Sequence, residues 1–159
     1  MAPGPRSVRI GVISDTHGLL RPQALRALRG SALILHAGDV GTPDVLDALR
    51  ALAPVVAVRG NNDTGTWARA LRETETVELG ATRLHVVHDV KDLAIDPAAR
   101  GIDVVIAGHS HRPAIVRRDG VLFLNPGSAG PRRFSLPIAV ARIEIGPSVR
   151  ARIIELKPG

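Results

Sequence analysis

The sequence predicts an α/β fold in which two mixed sheets pack face to face with helices outside. Three observations predict it. The first third alternates short apolar, β-branched runs with segments of helical spacing, the pattern of parallel strands joined by crossover helices. The remainder is dominated by strand pairs around turn residues, which a purely parallel sheet does not accommodate. At 159 residues, with no repeat, low-complexity segment or linker, the chain has the length of a single domain spanning 1–159.

Val8 to Ser14 is a short apolar run and reads as a buried strand. Leu20 to Arg29 places Leu20, Ala24, Leu25 and Leu28 at helical spacing, with Pro22 near its start and Gly30 at its end. Ala32 to His36 is a second strand. Thr42 to Leu52 is a second helix, with Thr42 as N-cap and Pro43 in the first turn. Val55 to Val58 is the third strand. Thr74 to Leu79 and Thr82 to Val87 flank Gly80 as a hairpin, and Asp92 to Arg100 is expected to be a helix. Asp103 to Ala107 is another buried strand. Ala114 to Arg118 and Val121 to Leu124 flank Asp119-Gly120, a type I′ turn pair. Ile138 to Ile145 and Val149 to Leu156 pair around Gly146-Pro147.

The formal charge is +6, almost all of it arginine, since lysine occurs only at Lys91 and Lys157. No basic run exceeds two residues, and aromatics for stacking bases are limited to Trp67, Phe123 and Phe134. Specific nucleic-acid binding is therefore not expected. The arginines read as solvated surface that helps attract an anionic substrate. There is no cysteine, hence no disulfide and no thiolate metal site. The opening MAPGPRS lacks a signal-peptide pattern, and no run approaches the roughly 18 apolar residues of a membrane span. A soluble, cytoplasmic protein with no membrane association is expected; self-association is left open.

Polar residues concentrate where strands end. Five expected strands run out into Ser14-Asp15-Thr16-His17-Gly18, Gly38-Asp39, Gly60-Asn61-Asn62-Asp63, His88-Asp89 and Gly108-His109-Ser110-His111. The loops beyond the carboxyl ends of strands are where α/β sheets bind ligands. On extended backbone, residues two apart point to one side. Asp15 with His17, and His109 with His111, are thus expected to reach one ion together. Gly38 allows close approach of the backbone before Asp39. Imidazole combined with carboxylate suits Mn, Fe, Co, Ni or Zn. A carboxylate can bridge two ions, and an ion pair roughly 3.5–4 Å apart is a recurring device of hydrolytic chemistry. Each motif alone has an ordinary reading, because Gly, Asn and Asp dominate turns. Five in series at strand ends do not. His36 and His85 fall inside strands and read as structural or as supports for a ligand.

In this order the motifs resemble the calcineurin-like metallophosphoesterase superfamily, whose pattern runs D-x-H, G-D, G-N-H-D/E, H and G-H-x-H. The resemblance covers Val8 through about Ser128. The short length and Asn125-Pro126-Gly127-Ser128 resemble its small single-domain phosphodiesterase branch, which is also similar to a eukaryotic retromer subunit that acts as a scaffold. The resemblance implies a four-layer α/β/β/α sandwich. It implies two divalent transition-metal ions, manganese foremost, with Fe, Ni, Co and Zn as alternatives. Asp15, His17, Asp39 and His111 would hold the first; Asp39 would bridge to the second, completed by Asn61, His88 and His109. It implies hydrolysis of a small-molecule phosphate ester, most simply a diester, by a metal-bridging hydroxide, with Asp39, Asn62, Asp63 and His88 nearest the chemistry.

Two departures stand out. Asn62 occupies a position that is histidine in many relatives, and an amide cannot donate a proton as a general acid. Asp89 follows His88 where small relatives commonly have glycine; it adds negative charge and can orient a ligand or narrow the substrate range. The main alternative is a non-catalytic metal-binding scaffold of the same fold that binds a protein partner.

Overall fold

The computed structural model describes residues 7–133 and 135–157. The opening residues 1–6, read above for a signal peptide, and Phe134 lie outside the described residues. The elements run β1 (Val8–Ile13), α1 (Pro22–Leu28), β2 (Leu33–His36), α2 (Pro43–Arg50), β3 (Val55–Ala57), β4 (Thr74–Leu79), β5 (Thr82–Val87), β6 (Val104–Ile106), β7 (Ala114–Arg118), β8 (Val121–Asn125), β9 (Ala139–Ile145) and β10 (Val149–Glu155). They form two mixed five-stranded sheets, ordered β10-β9-β1-β2-β3 and β4-β5-β6-β8-β7. In the first, β1, β2 and β3 are parallel and β9 runs antiparallel to β1. In the second, β5, β6 and β8 are parallel, flanked by antiparallel β4 and β7.

Alternation of side chains on the strands divides the core. Ile10, Val12, Leu35 and Ile143 of the first sheet meet Leu84, Val86, Val104, Ile106, Leu122 and Leu124 of the second. Full burial of each aliphatic side chain stabilises by about 1.5–3 kcal/mol. The opposite face of the first sheet, with Ile13, Ile34 and Val140, is covered by Leu28 of α1 and by Val45, Leu46 and Leu49 of α2. Both helices start with proline in the first turn, where its missing N–H costs nothing. Thr42 precedes α2 as expected, but its side chain makes no capping hydrogen bond. Asp119 and Gly120 have φ of 53° and 78°, both positive as a type I′ turn requires.

The expected helix over Asp92–Arg100 is corrected. The chain instead makes a 3₁₀ turn over Val90–Asp92 and continues as bends and turns to Gly101. Pro97 lacks a donor and disfavours helical geometry in the residue before it. Leu93 and Ile95 are two apart, so both can face the sheet from extended backbone; they pack against Val87, Ile102, Val105, Ala107 and Val121. The fourth layer of the sandwich is therefore irregular. Among the described residues no helix is long and apolar enough to cross a membrane.

Candidate metal centre

The loops after β1, β2, β3, β5 and β6 converge at one end of the sandwich. Among the described residues six non-glycine residues have positive φ, and five of them are Asp15, His17, Asp39, His109 and His111. This corrects the extended geometry expected for the two i, i+2 pairs: each of the four residues sits in a left-handed bend. Asp and His tolerate that region better than most residues, yet it still costs on the order of 1 kcal/mol or more, so surrounding bonds must hold it. Neighbouring glycines make room. A Cβ on Gly38 (φ 103°) would stand 2.6 Å from His88 Nδ1; on Gly108 it would meet Ser14 and lie 2.5 Å from Asp15 Oδ2.

Two ligand groups result, Asp15 with His17 and His111, and Asp15 with Asp39 and His88. His111 Nε2 lies 3.5 Å from Asp15 Oδ1. Asp39 Oδ2 stands 3.8 Å from His17 Nε2 and 3.3 Å from His88 Nε2, between the groups, where a bridging carboxylate belongs. Asn61 Oδ1 and His109 Nδ1 lie 3.0 and 3.3 Å from His88 Nε2. All seven predicted ligands thus come together. His88 Nδ1 donates to the Ala37 carbonyl at 2.7 Å, which leaves Nε2 facing the cluster. His109 turns its other nitrogen to Asp89, 3.6 Å away, a reading of Asp89 as a ligand-orienting group.

Do these residues fit metal ions? Asp15 is fully buried, and its Oδ1 has no hydrogen-bond partner; His17 Nε2 is likewise buried and unpartnered. Orphaned atoms of this kind are costly. Both atoms face the other ligands, and a divalent cation coordinated there satisfies them. The charges in the cluster are strongly coupled. Burial opposes charge on Asp39, but hydrogen bonds from His88 and Asn62 and the charge on His88 hold it well below the usual carboxylate range. Burial also opposes charge on His88, yet the bonds to Asp39 and the Ala37 carbonyl and the charges of Asp15 and Asp39 raise it to about 9. Asp15 is held below its ordinary value, against burial, by His111, Ser14 and His88.

Two further residues expected near the chemistry, Asn62 and Asp63, bond to Asp39 and to its loop. Asn62 donates from its backbone to Asp39 Oδ1 at 2.9 Å and from its amide to Oδ2 at 3.0 Å, so it orients the Asp39 carboxylate. Asp63 is buried, and its oxygens accept from the backbone N–H of Val40, Gly41 and Gly60 at 3.2, 3.0 and 2.8 Å. A carboxylate so occupied clamps two loops together; an action of Asp63 on substrate does not fit this placement.

His36, read from the sequence as structural or as a support for a ligand, is such a support; the hydroxyls of Thr16, Ser14 and Ser128 behind the ligand loops were missed. His36 Nδ1 accepts from Gly38 N–H at 3.1 Å, so its Nε2 carries the proton and donates to Thr16 Oγ1 at 3.0 Å, whose hydroxyl donates to the Val40 carbonyl at 2.8 Å. This chain ties the Asp15–His17 loop to the Asp39 loop. Ser14 Oγ donates to Asp15 Oδ2 at 2.6 Å, and Ser128 Oγ donates to the Asp15 carbonyl at 3.0 Å. A hydroxyl beside a ligand is the only sequence signal for them. His85, buried on β5, pairs with Thr76 across the strand at 2.8 Å and is structural.

A cleft of 570 Å³ opens onto Asn61, His88 and His109. Among the described residues Arg59 is the one arginine or lysine that lines it, and it donates to Glu73 at 3.0 Å.

A two-sheet sandwich with a buried Asp/His cluster at the ends of its parallel strands defines a metal-binding protein of the phosphoesterase class. The family model for the calcineurin-like phosphoesterase superfamily domain matches residues 8–147, and the chain belongs to that superfamily. A probable metallophosphoesterase of Methanothermobacter thermautotrophicus is 39% identical over 158 residues, covering 91% of each chain. A phosphodiesterase of Methanocaldococcus jannaschii is 28% identical, over 76% of this chain and 83% of its own. Among solved structures, Vps29 from Entamoeba histolytica complexed with zinc superposes with a TM-score of 0.68 at 26% identity, covering 93% of this chain and 99% of its own.

Proposed function

We propose that the protein is a cytoplasmic, dinuclear metal-dependent phosphodiesterase acting on a small-molecule phosphate ester. The observation that carries this reading is the convergence of Asp15, His17, Asp39, His88 and His111 around buried, unpartnered Asp15 Oδ1 and His17 Nε2, with Asn61 and His109 set against His88 Nε2. Asp15, His17 and His111, with Asp39 shared, would hold one divalent ion; Asp39, Asn61, His88 and His109 would hold the other. Manganese is the ion to test first. When bound, such ions supply an activated water and neutralise charge on phosphate. The chain itself does the rest: Asn62 and Asp63 fix Asp39 and its loop, and the His36–Thr16 chain fixes the His17 loop.

The likeness to a zinc-bound Vps29 favours one alternative, a metal-binding scaffold without turnover. The test is elemental analysis after reconstitution with manganese, together with hydrolysis of bis-p-nitrophenyl phosphate. Metal near two per chain with turnover is expected. Metal without turnover of any diester would favour the scaffold, and no bound metal would defeat both readings.

A further inference from the structure

The irregular fourth layer covers the outer face of the second sheet unevenly. Leu93 and Ile95 pack on that face, but part of it remains open beside the metal centre. There an apolar cleft of 320 Å³ lies between Val90, Ala107, Val116 and Phe123. Val90 and Val116 are each 47% exposed and give the cleft apolar walls that solvent reaches. A concavity of this size suits a ring or a short apolar group.

Two features indicate the occupant. First, Asp89 and His109 line both this cleft and the larger one at the metal centre, so the two adjoin at that pair. A molecule whose phosphate sits at the metal ligands can pass its ester group over His109 into the apolar cleft. Second, the cleft is bordered by cations. Lys91 and Arg112 line it, against one lining carboxylate among the described residues, Asp89. Apolar walls with a cationic rim complement a hydrophobic group attached to an anion. A second copy of this chain, with its net charge of +6, is a poorer match.

We infer that this cleft is an ester-group subsite, and that the substrates are phosphate diesters bearing a flat apolar ring; the inference rests on the phosphodiesterase reading above. Its test compares two diesters that share a p-nitrophenyl leaving group, one also carrying methyl and the other 1-naphthyl, on the manganese-reconstituted protein. The naphthyl ester is expected to show kcat/KM on the order of 10- to 100-fold higher, from apolar burial alone. Val116→Asp should remove most of that preference and leave the methyl ester within about twofold of native. Val90→Asp, on a separate segment, should act the same way. Equal kcat/KM for the two esters in the native protein overturns the subsite. Hydrolysis of neither would instead defeat the phosphodiesterase reading, and a binding measurement then decides the subsite. In that measurement 1-naphthyl methylphosphonate is titrated while the methyl NMR signals of Val90, Val116 and Ala107 are followed. Shifts at those methyls support the subsite; unmoved methyls overturn it. A native dimer that Val116→Asp splits into monomers would also overturn it, in favour of a second copy.

Discussion

His36 offers a sharp test of how the metal loops are held. It is fully buried and accepts from Gly38 N–H through Nδ1. Complete burial drives its pKa down from 6.5 to about 4, with Asp15 and Asp63 offsetting part of the effect. Protonation would set an N–H against the Gly38 N–H and place a charge in the core. Between pH 6.5 and 4 the unfolded chain therefore binds the proton and the folded chain does not. Stability from this group is present above pH 6.5 and is lost as pH falls towards 4. At 1.36 kcal/mol per pKa unit, that loss is about 3 kcal/mol, a large share of a typical total of about 5–15 kcal/mol. The perturbation is His36→Gln, whose amide can still donate towards Thr16 but does not titrate. The assay is denaturant unfolding of both proteins with chelator present, since metal competes with protons for the neighbouring ligands. The native protein should be the more stable at neutral pH, and its advantage should shrink by about 2–3 kcal/mol on acidification to about pH 4.5. A constant difference across that range would refute the buried neutral histidine.

Asp39→Asn should lower metal content from near two ions per chain and cost on the order of a thousandfold in kcat/KM, as loss of a bridging ligand from a two-metal site implies; unchanged metal by elemental analysis with unchanged turnover would contradict its placement. Gly108→Ala should destabilise by about 1–3 kcal/mol and weaken metal binding, because the new methyl would press on Ser14 and Asp15; thermal unfolding and a metal titration check it. Asn62 carries an amide, which cannot protonate the leaving oxygen as a general acid. Rates across esters graded by leaving-group pKa should therefore fall steeply, given the 10²–10⁴-fold typical of general acids, whereas a flat series would point to another donor.

Much of this was legible because apolar patterning and ligand chemistry are local properties. The runs over Thr74–Leu79, Thr82–Val87 and Ala114–Arg118 became strands with those bounds, and all seven ligand-type residues lie together. What failed was inference about backbone shape. The i, i+2 argument assumes extended chain, but Asp15, His17, His109 and His111 are left-handed, and nothing in Asp or His announces the sign of φ. Glycines at 38 and 108 were the visible hint, since they mark where neighbours leave no room for Cβ. Asp63 and Asn62 sit in a motif whose residue types suit either chemistry or scaffolding; only their hydrogen bonds to Val40, Gly41, Gly60 and Asp39 separate the two. Asp92–Arg100 misled because Leu93, Ala94, Ala98 and Ala99 all suit a helix, while Pro97 lacks a donor and disfavours helical geometry in the residue before it.

The left-handed bends at the ligand positions bear on how such a protein can change over generations. Their shape is set by neighbouring amides, hydroxyls and carboxylates: Asp63 on three backbone N–H groups, and His36 through Thr16 to Val40. A lineage that lost one imidazole would forfeit an ion and its reaction while inheriting the same contoured rim almost intact. Catalysis and surface shape are thus separable traits on this fold. A descendant can abandon turnover and keep a ready-made face for recognition, without passing through an unfolded ancestor.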